Sequence, residues 1–234
     1  MTRAGREWSE TDFRDRLEQR IKSAGLNVSL TGSSIEQLSR YFQLLRKWNR
    51  RINLTALPLE TFPASTTDRL FVEPLAAAQF IPDRVGTWLD LGSGGGSPAL
   101  PLKIVRPSVS LTMVESRSKK AAFLREAVKV LALGSAEVVE ARIEELSQKA
   151  GGSLADLITI RGVKLDSPIV EAVRFLLRTG GQLILFGSSA LTVDLRAEQS
   201  GTSLDPASGP AVFIETQSLE LFGGGTRILV LEKS

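Results

Sequence analysis

The residues with the most chemistry to offer form one short run, Asp90-Leu91-Gly92-Ser93-Gly94-Gly95-Gly96. Glycines at this spacing tolerate positive φ and let a ligand approach the backbone closely. A helix starting just beyond the run would add free N–H groups and a partial positive charge. These features suit an adenosine-bearing cofactor. A dinucleotide fingerprint wants glycine at 92, 94 and 97, and position 97 is Ser. The Asp90 carboxylate would repel a pyrophosphate at a strand tip, yet it would accept the ammonium and sulfonium of S-adenosyl-L-methionine. Glu115 lies 23 residues after Gly92. An acid there, at the end of a second strand, accepts two hydrogen bonds from a ribose diol. The plain structural alternatives are a glycine-rich strand–helix turn with a capping aspartate, and a surface glutamate.

Composition narrows the chemistry further. The 234 residues contain no cysteine and no histidine. That excludes disulfides, iron–sulfur clusters, thiolate or imidazole zinc sites, cysteine nucleophiles and serine–histidine triads. No loop has the carboxylate spacing of a metal site, so no metal is expected. No apolar run reaches the roughly 18–20 residues of a membrane span. The N-terminus MTRAGREWSETDFRDRLEQR lacks the apolar centre of a secretory signal. A cytoplasmic protein without membrane association is therefore expected. Residues 1–51 carry 11 Lys/Arg against 6 Asp/Glu, and the remainder 18 against 20. A basic head on a near-neutral body points to an anionic partner such as nucleic acid, a solvated helix face being the alternative.

These residues need elements to position them, and the hydrophobic pattern supplies an α/β frame. Trp8, Phe13, Leu17, Ile21 and Leu26 recur at near-helical spacing around the Gly25 breaker. A second helix is predicted to start at Ser33 or Ser34, with Glu36 three residues after Ser33 as in a capping box. Its stripe Ile35, Leu38, Tyr41, Phe42, Leu45, Trp48, Ile52 is amphipathic, so Phe42 and Trp48 read as core and not as base-stacking groups. A short helix is predicted over 70–80. From Thr87 onward, strands at 87–91, 110–115, 136–140, 155–160 and 182–186 alternate with helices at 98–105, 118–131, 143–149, 167–178 and 190–199. This alternation predicts a parallel, doubly wound sheet. The runs 211–221 and 227–231, joined by Gly223-Gly224-Gly225, predict an antiparallel hairpin at the sheet edge. The expected fold is α/β: a Rossmann-like class I S-adenosylmethionine-dependent methyltransferase sheet over residues 63–234, with a helical extension over residues 1–62.

Four further segments carry a resemblance. They are Tyr41–Ala56 (YFQLLRKWNRRINLTA), the stretch DLGSGGGSPALPLKIVRP, the set Glu115, Ser116, Lys119, Lys120, Phe123 and Leu124, and Ala141-Arg142-Ile143-Glu144-Glu145. In order and spacing they resemble the RsmG (GidB) family, whose patterns are W-N-x-x-x-N-L-T, D-x-G-[ST]-G-x-G-x-P-G-[LI]-P-L, [DE]-S-x-x-K-[KR]-x-x-F-L and x-R-[VIA]-E-[ED]. The resemblance runs from about residue 41 to the C-terminus. It implies methyl transfer from S-adenosyl-L-methionine to N7 of a guanine in small-subunit ribosomal RNA, naked or in the assembled subunit, by a monomer.

The resemblance also implies roles for individual residues. Gly92 and the backbone at Ser97 would touch the methionine part of the cofactor, Asp90 and Gly94 would flank it, and Glu115 would hold the ribose. Ile143 and Glu144 would lie along the adenine. Arg161 corresponds to the arginine of the family's S-R-A motif and would be catalytic and cofactor-binding. A strand-end arginine is rarely fully buried, so its loss should change stability little, a solvent-exposed surface residue being the plain alternative. Arg227 and the basic helix residues Arg46, Lys47, Arg50 and Arg51 are candidate RNA contacts. The chain departs from the family at Leu70 and Glu73 (R-H-x-x-D-S), Gly162 (S-R-A), Phe186 (K-G) and Ile228 (R-H). These departures leave two alternatives: a methyltransferase of this fold with another substrate, and a non-catalytic RNA- or ribosome-binding relative. A nicotinamide dehydrogenase is disfavoured by Ser97 and the terminal hairpin.

Overall fold

The computed structural model describes residues 8–187, 213–223 and 225–234. The predicted helix over 190–199 and the first residues of the strand from 211 lie outside the described residues. Among the described residues, seven strands form one sheet in the order β3-β2-β1-β4-β5-β7-β6. The strands are β1 (Thr87–Leu91), β2 (Ser110–Val114), β3 (Ala136–Val139), β4 (Ala155–Arg161), β5 (Leu177–Gly187), β6 (Phe213–Leu221) and β7 (Thr226–Lys233). The pairs β1–β2, β2–β3, β1–β4 and β4–β5 are parallel, while β7 runs antiparallel to both β5 and β6. The hairpin therefore closes the sheet with a reversed strand, as its lack of an intervening helix requires. The strand order turns back between β1 and β4, which opens a crevice at the carboxyl ends of the parallel strands.

Helices cover both faces. Helices α7 (Ile143–Lys149) and α8 (Ser167–Leu176) pack one face through Ile143, Ile169, Val173 and Leu176. The other face carries α5 (Ala99–Val105), α6 (Ser118–Val130) and the head helices α1 (Glu10–Ser23) and α2 (Gly32–Asn49). One continuous apolar cluster joins Phe13, Leu38 and Phe42 of the head to Phe71, Met113, Phe123 and Ile228. Phe42 is fully buried and Trp48 packs edge-on against Phe123.

Three local readings need correction. Thr31, not Ser33 or Ser34, caps α2: its hydroxyl accepts the Ser34 N–H at 3.1 Å. Thr31 holds an extended backbone, which suits a β-branched residue, and Gly32 and Ser33 enter the helix. The reciprocal capping box belongs to α1, between Ser9 and Asp12. Helix α8 ends at Leu176, and Leu177 and Arg178 already belong to β5. The helix predicted over 70–80 starts at α3 (Ala64–Thr67), just after Pro63. It continues through a π-turn at Asp68–Val72 into α4 (Glu73–Ala77). This π-turn has a consequence for the site. The Glu73 N–H bonds to the Asp68 carbonyl, and Pro74 has no N–H. The carbonyls of Arg69 and Leu70 thus lack their usual i+4 donors and accept side chains from the sheet edge.

Candidate active site

The glycine run forms the turn from β1 toward α5. Gly92, Gly94 and Gly96 have φ of 74, 54 and 86°, which only glycine adopts without strain. A Cβ at Gly92 would meet Val163 Cγ2 at 2.4 Å, and one at Gly96 would meet Leu100 Cδ1 at 2.5 Å. At Gly94 a Cβ would find the Gly92 carbonyl only at 3.7 Å and Lys120 Nζ at 4.0 Å, so space opens there. Two lobes of a cleft meet at Gly92. One, of about 540 Å³, is lined by Gly92–Gly95, Ser97, Lys120 and Arg161. The other, of about 660 Å³, is lined by Glu115, Ile143, Glu144 and Val163.

Each side chain is held by its neighbours. Glu115 Oε2 accepts the Gly94 N–H at 2.9 Å and Oε1 accepts the Arg117 N–H at 2.8 Å. Each oxygen keeps a second lone pair for a ribose hydroxyl. Asp90 is 1% exposed. Thr159 donates its hydroxyl to Asp90 Oδ1 and in turn accepts the Trp88 indole N–H at 2.8 Å. Asp90 Oδ2 is buried with no hydrogen-bond partner among the described residues. Burial pushes the Asp90 carboxyl up to about 6, against the pull of Ser93, Thr159 and Arg161. An orphaned buried carboxylate oxygen beside an open glycine turn fits a cationic ligand group.

Arg161 ends β4 on the same face as Thr159. Its side chain is only 10% exposed and paired with the buried Glu73, so the expectation that its loss changes stability little fails. The sheet edge is roofed here by the helix that carries the π-turn. Arg161 Nη1 donates to the Arg69 carbonyl and, at 3.1 Å, to Ser97 Oγ. Nη2 pairs with Glu73 Oε2 at 2.7 Å. The guanidinium lies 4.5 Å over the Phe186 ring. Burial lowers its pKa to about 10, opposed chiefly by the Glu73 charge, and it stays charged at neutral pH. Ser97 Oγ also donates to the Leu70 carbonyl at 3.0 Å.

The head helices complete the first lobe. Tyr41, fully buried on α2, donates its hydroxyl to the Gly95 carbonyl at 2.7 Å. Asn49 Oδ1 accepts the N–H groups of Leu54 and Thr55 at 2.9 and 3.0 Å. This folds the 54–57 loop over the glycine turn, where the Leu54 carbonyl lies 3.3 Å from a Cβ built on Gly95.

The structure thus gathers Asp90, Gly92, Gly94, Ser97, Glu115, Ile143, Glu144 and Arg161 around one cleft. It does not bring Arg50 or Arg227 there. Arg50 pairs with Glu60 at 2.9 Å on the head surface. Arg227 pairs with Glu215 at 3.1 Å and shares the parity of Leu229 and Leu231, so it points to the sheet face opposite Arg161. Arg46 is buried, bonded to Glu60 and Gln43, and is no surface contact. Sequence reasoning missed Tyr41, Arg69, Glu73 and Thr159 as site residues. Lys120, quoted only as part of a motif, is a lobe residue.

A family model described as rRNA small subunit methyltransferase G (GidB) matches residues 34–212. The chain belongs to this family. A ribosomal RNA small subunit methyltransferase G of Stenotrophomonas maltophilia (strain K279a) is 40% identical over 168 residues, 72% of this chain and 74% of that protein. One from Neisseria meningitidis serogroup A is 36% identical over 171 residues, covering 72% and 76%. Among solved structures, TrmN from Thermus thermophilus shares the fold, with a TM-score of 0.51 and 20% identity over 81% of this chain and 52% of that one. The chain is accordingly a methyltransferase whose cofactor is S-adenosyl-L-methionine, and its sheet has the class I fold. The orphaned Asp90 Oδ2 and the space at Gly94 fit that group.

Proposed function

We propose that this enzyme methylates N7 of a guanine in 16S, small-subunit ribosomal RNA, acting in the cytoplasm as a monomer. The observation that carries this reading is the charge layout of the cleft. Arg69, Lys120 and Arg161 line the first lobe, while Glu73 and Asp90 are buried and Glu115 is engaged by two backbone N–H groups. Arg69 and Arg161 share the Glu73 carboxylate and Lys120 adds a further cation for a phosphate-bearing strand, while among the described residues this lobe has no exposed carboxylate to take up a proton. The sequence has no histidine or cysteine to do so. Guanine N7 carries an in-plane lone pair and no proton at neutral pH, so it requires none. S-adenosylmethionine, when bound, supplies an electrophilic methyl group on a sulfonium.

The chain's own part is to bind, align and shield. Glu115 orients the ribose, Gly92 and Gly94 admit the ligand to the backbone, and Asp90 favours a cation. Arg161 and Arg69 hold the RNA so that a splayed-out base meets the lobe. Alignment of this kind contributes several kcal/mol without proton transfer. The test is tritiated methyl transfer to small ribosomal subunits and to naked ribosomal RNA. The product is then mapped by borohydride–aniline cleavage, which cuts at 7-methylguanosine. Label in another base, or in no RNA, overturns the reading.

A further inference from the structure

Glu73 touches neither cofactor nor RNA in the function just proposed, yet it is 1% exposed and uses both carboxylate oxygens. Oε2 accepts Arg161 Nη2 at 2.7 Å, and Oε1 accepts the Thr226 hydroxyl, also at 2.7 Å. Arg69 Nη1 stands 3.6 Å from Oε2. Glu73 opens α4, Arg161 closes β4 and Thr226 opens β7. One carboxylate therefore ties the helix layer, the parallel strands and the reversed hairpin together at the cleft.

The geometry explains why such a tie matters. The Phe186 ring supports one face of the guanidinium, but a flat cation on a ring face can still turn in its own plane. The Arg69 carbonyl and Ser97 Oγ hold Nη1. A charge-assisted bond to Nη2 fixes the second nitrogen and removes the remaining rotation. Nε is buried with no partner among the described residues, so the contacts at Nη1 and Nη2 set the orientation of a residue that lines the first lobe. A guanidinium fixed in this way faces the lobe without having to reorganise. Thr226 keeps Glu73 itself from turning away, since its hydroxyl occupies the second oxygen.

We infer that Glu73, anchored by Thr226, is the positioning residue for Arg161. The inference rests on the proposed function only in taking Arg161 to work in methyl transfer. Glu73→Gln suits the test, because an amide can keep its oxygen toward Arg161 and turn its NH₂ to the Thr226 hydroxyl. Turnover on small subunits should fall roughly 10- to 100-fold in Glu73→Gln, as misplacement of a functional group does. Thr226→Val should fall several-fold, Glu73→Asp should recover part of the loss, and adenosine affinity should change less than about twofold in each.

The deciding measurement is a double-mutant cycle. Glu73→Gln should cost nothing further in an Arg161→Ala background, because its effect passes through Arg161. Multiplicative losses in the double variant, or unchanged turnover in folded Glu73→Gln, overturn the assignment. If Glu73→Gln fails to fold, Thr226→Val takes its place in the cycle. If the wild-type chain transfers no methyl group to RNA, the proposed function fails by itself. The same cycle is then read in calorimetric affinity for S-adenosylmethionine, where additive losses again overturn the role of Glu73.

Discussion

At the residue scale, Arg161 shows how burial changes what a substitution does. Arg161→Ala should lower methyl transfer by about 10²-fold. It should also destabilise the fold by about 3 kcal/mol, because the buried Glu73 would lose its closest cation and keep only the longer Arg69 pair at 3.6 Å and the Thr226 hydroxyl. Paired turnover and thermal-unfolding measurements check both halves. Arg161→Lys should restore stability better than activity, since an ammonium lacks the planar fork. Asp90 gives the opposite pairing of effects. Its carboxyl is held near 6, above the ordinary value of 3.8, so the native state binds the extra proton between those values. Stability from this group is full below about pH 4 and is lost as pH rises through 6. Asp90→Asn should thus be more stable than wild type at pH 8, on the order of 2 kcal/mol, with the gain vanishing near pH 4. It should at the same time bind S-adenosylmethionine more weakly. Unfolding midpoints across pH, with calorimetry, test the pair.

At the element scale, the turn after β1 decides cofactor binding. Gly94→Val places a branched side chain into open space at φ 54°. The strain of roughly 1–2 kcal/mol leaves the sheet folded, while S-adenosylmethionine binding should be abolished; unchanged calorimetric affinity would refute it. The elements were largely legible in the sequence because short apolar runs alternating with amphipathic stretches leave few arrangements for a sheet. The glycine turn and Glu115 were legible for the same reason, each sitting at a strand end. The environment of Arg161 was not. Glu73 reaches it across 88 residues of chain, and the π-turn that frees the Arg69 carbonyl depends on backbone detail with no hydrophobic period. Leu70, Glu73, Phe186 and Ile228 look like scattered departures in one dimension. In space, Glu73 and Phe186 both contact Arg161, Ile228 pairs with Phe186 across β5–β7, and the Leu70 carbonyl accepts Ser97.

At the scale of the whole molecule, the uneven charge leads to a salt prediction. RNA affinity should fall steeply with salt, and changing exposed Lys47, Arg50 and Arg51 together to Gln should flatten that slope. Arg46 should contribute nothing to it, because it is spent inside on Glu60 and Gln43. A slope indifferent to the triple change would put the RNA on another face. The Tyr41 bond to the Gly95 carbonyl has a different consequence. A ligand that quiets the glycine turn also removes one route by which the middle of α2 opens to solvent. Amide deuterium uptake around Tyr41 should therefore slow when S-adenosylhomocysteine is added, although no ligand atom need touch that helix. The head would act as a remote reporter of occupancy, and Tyr41→Phe would silence it while leaving the helix in place.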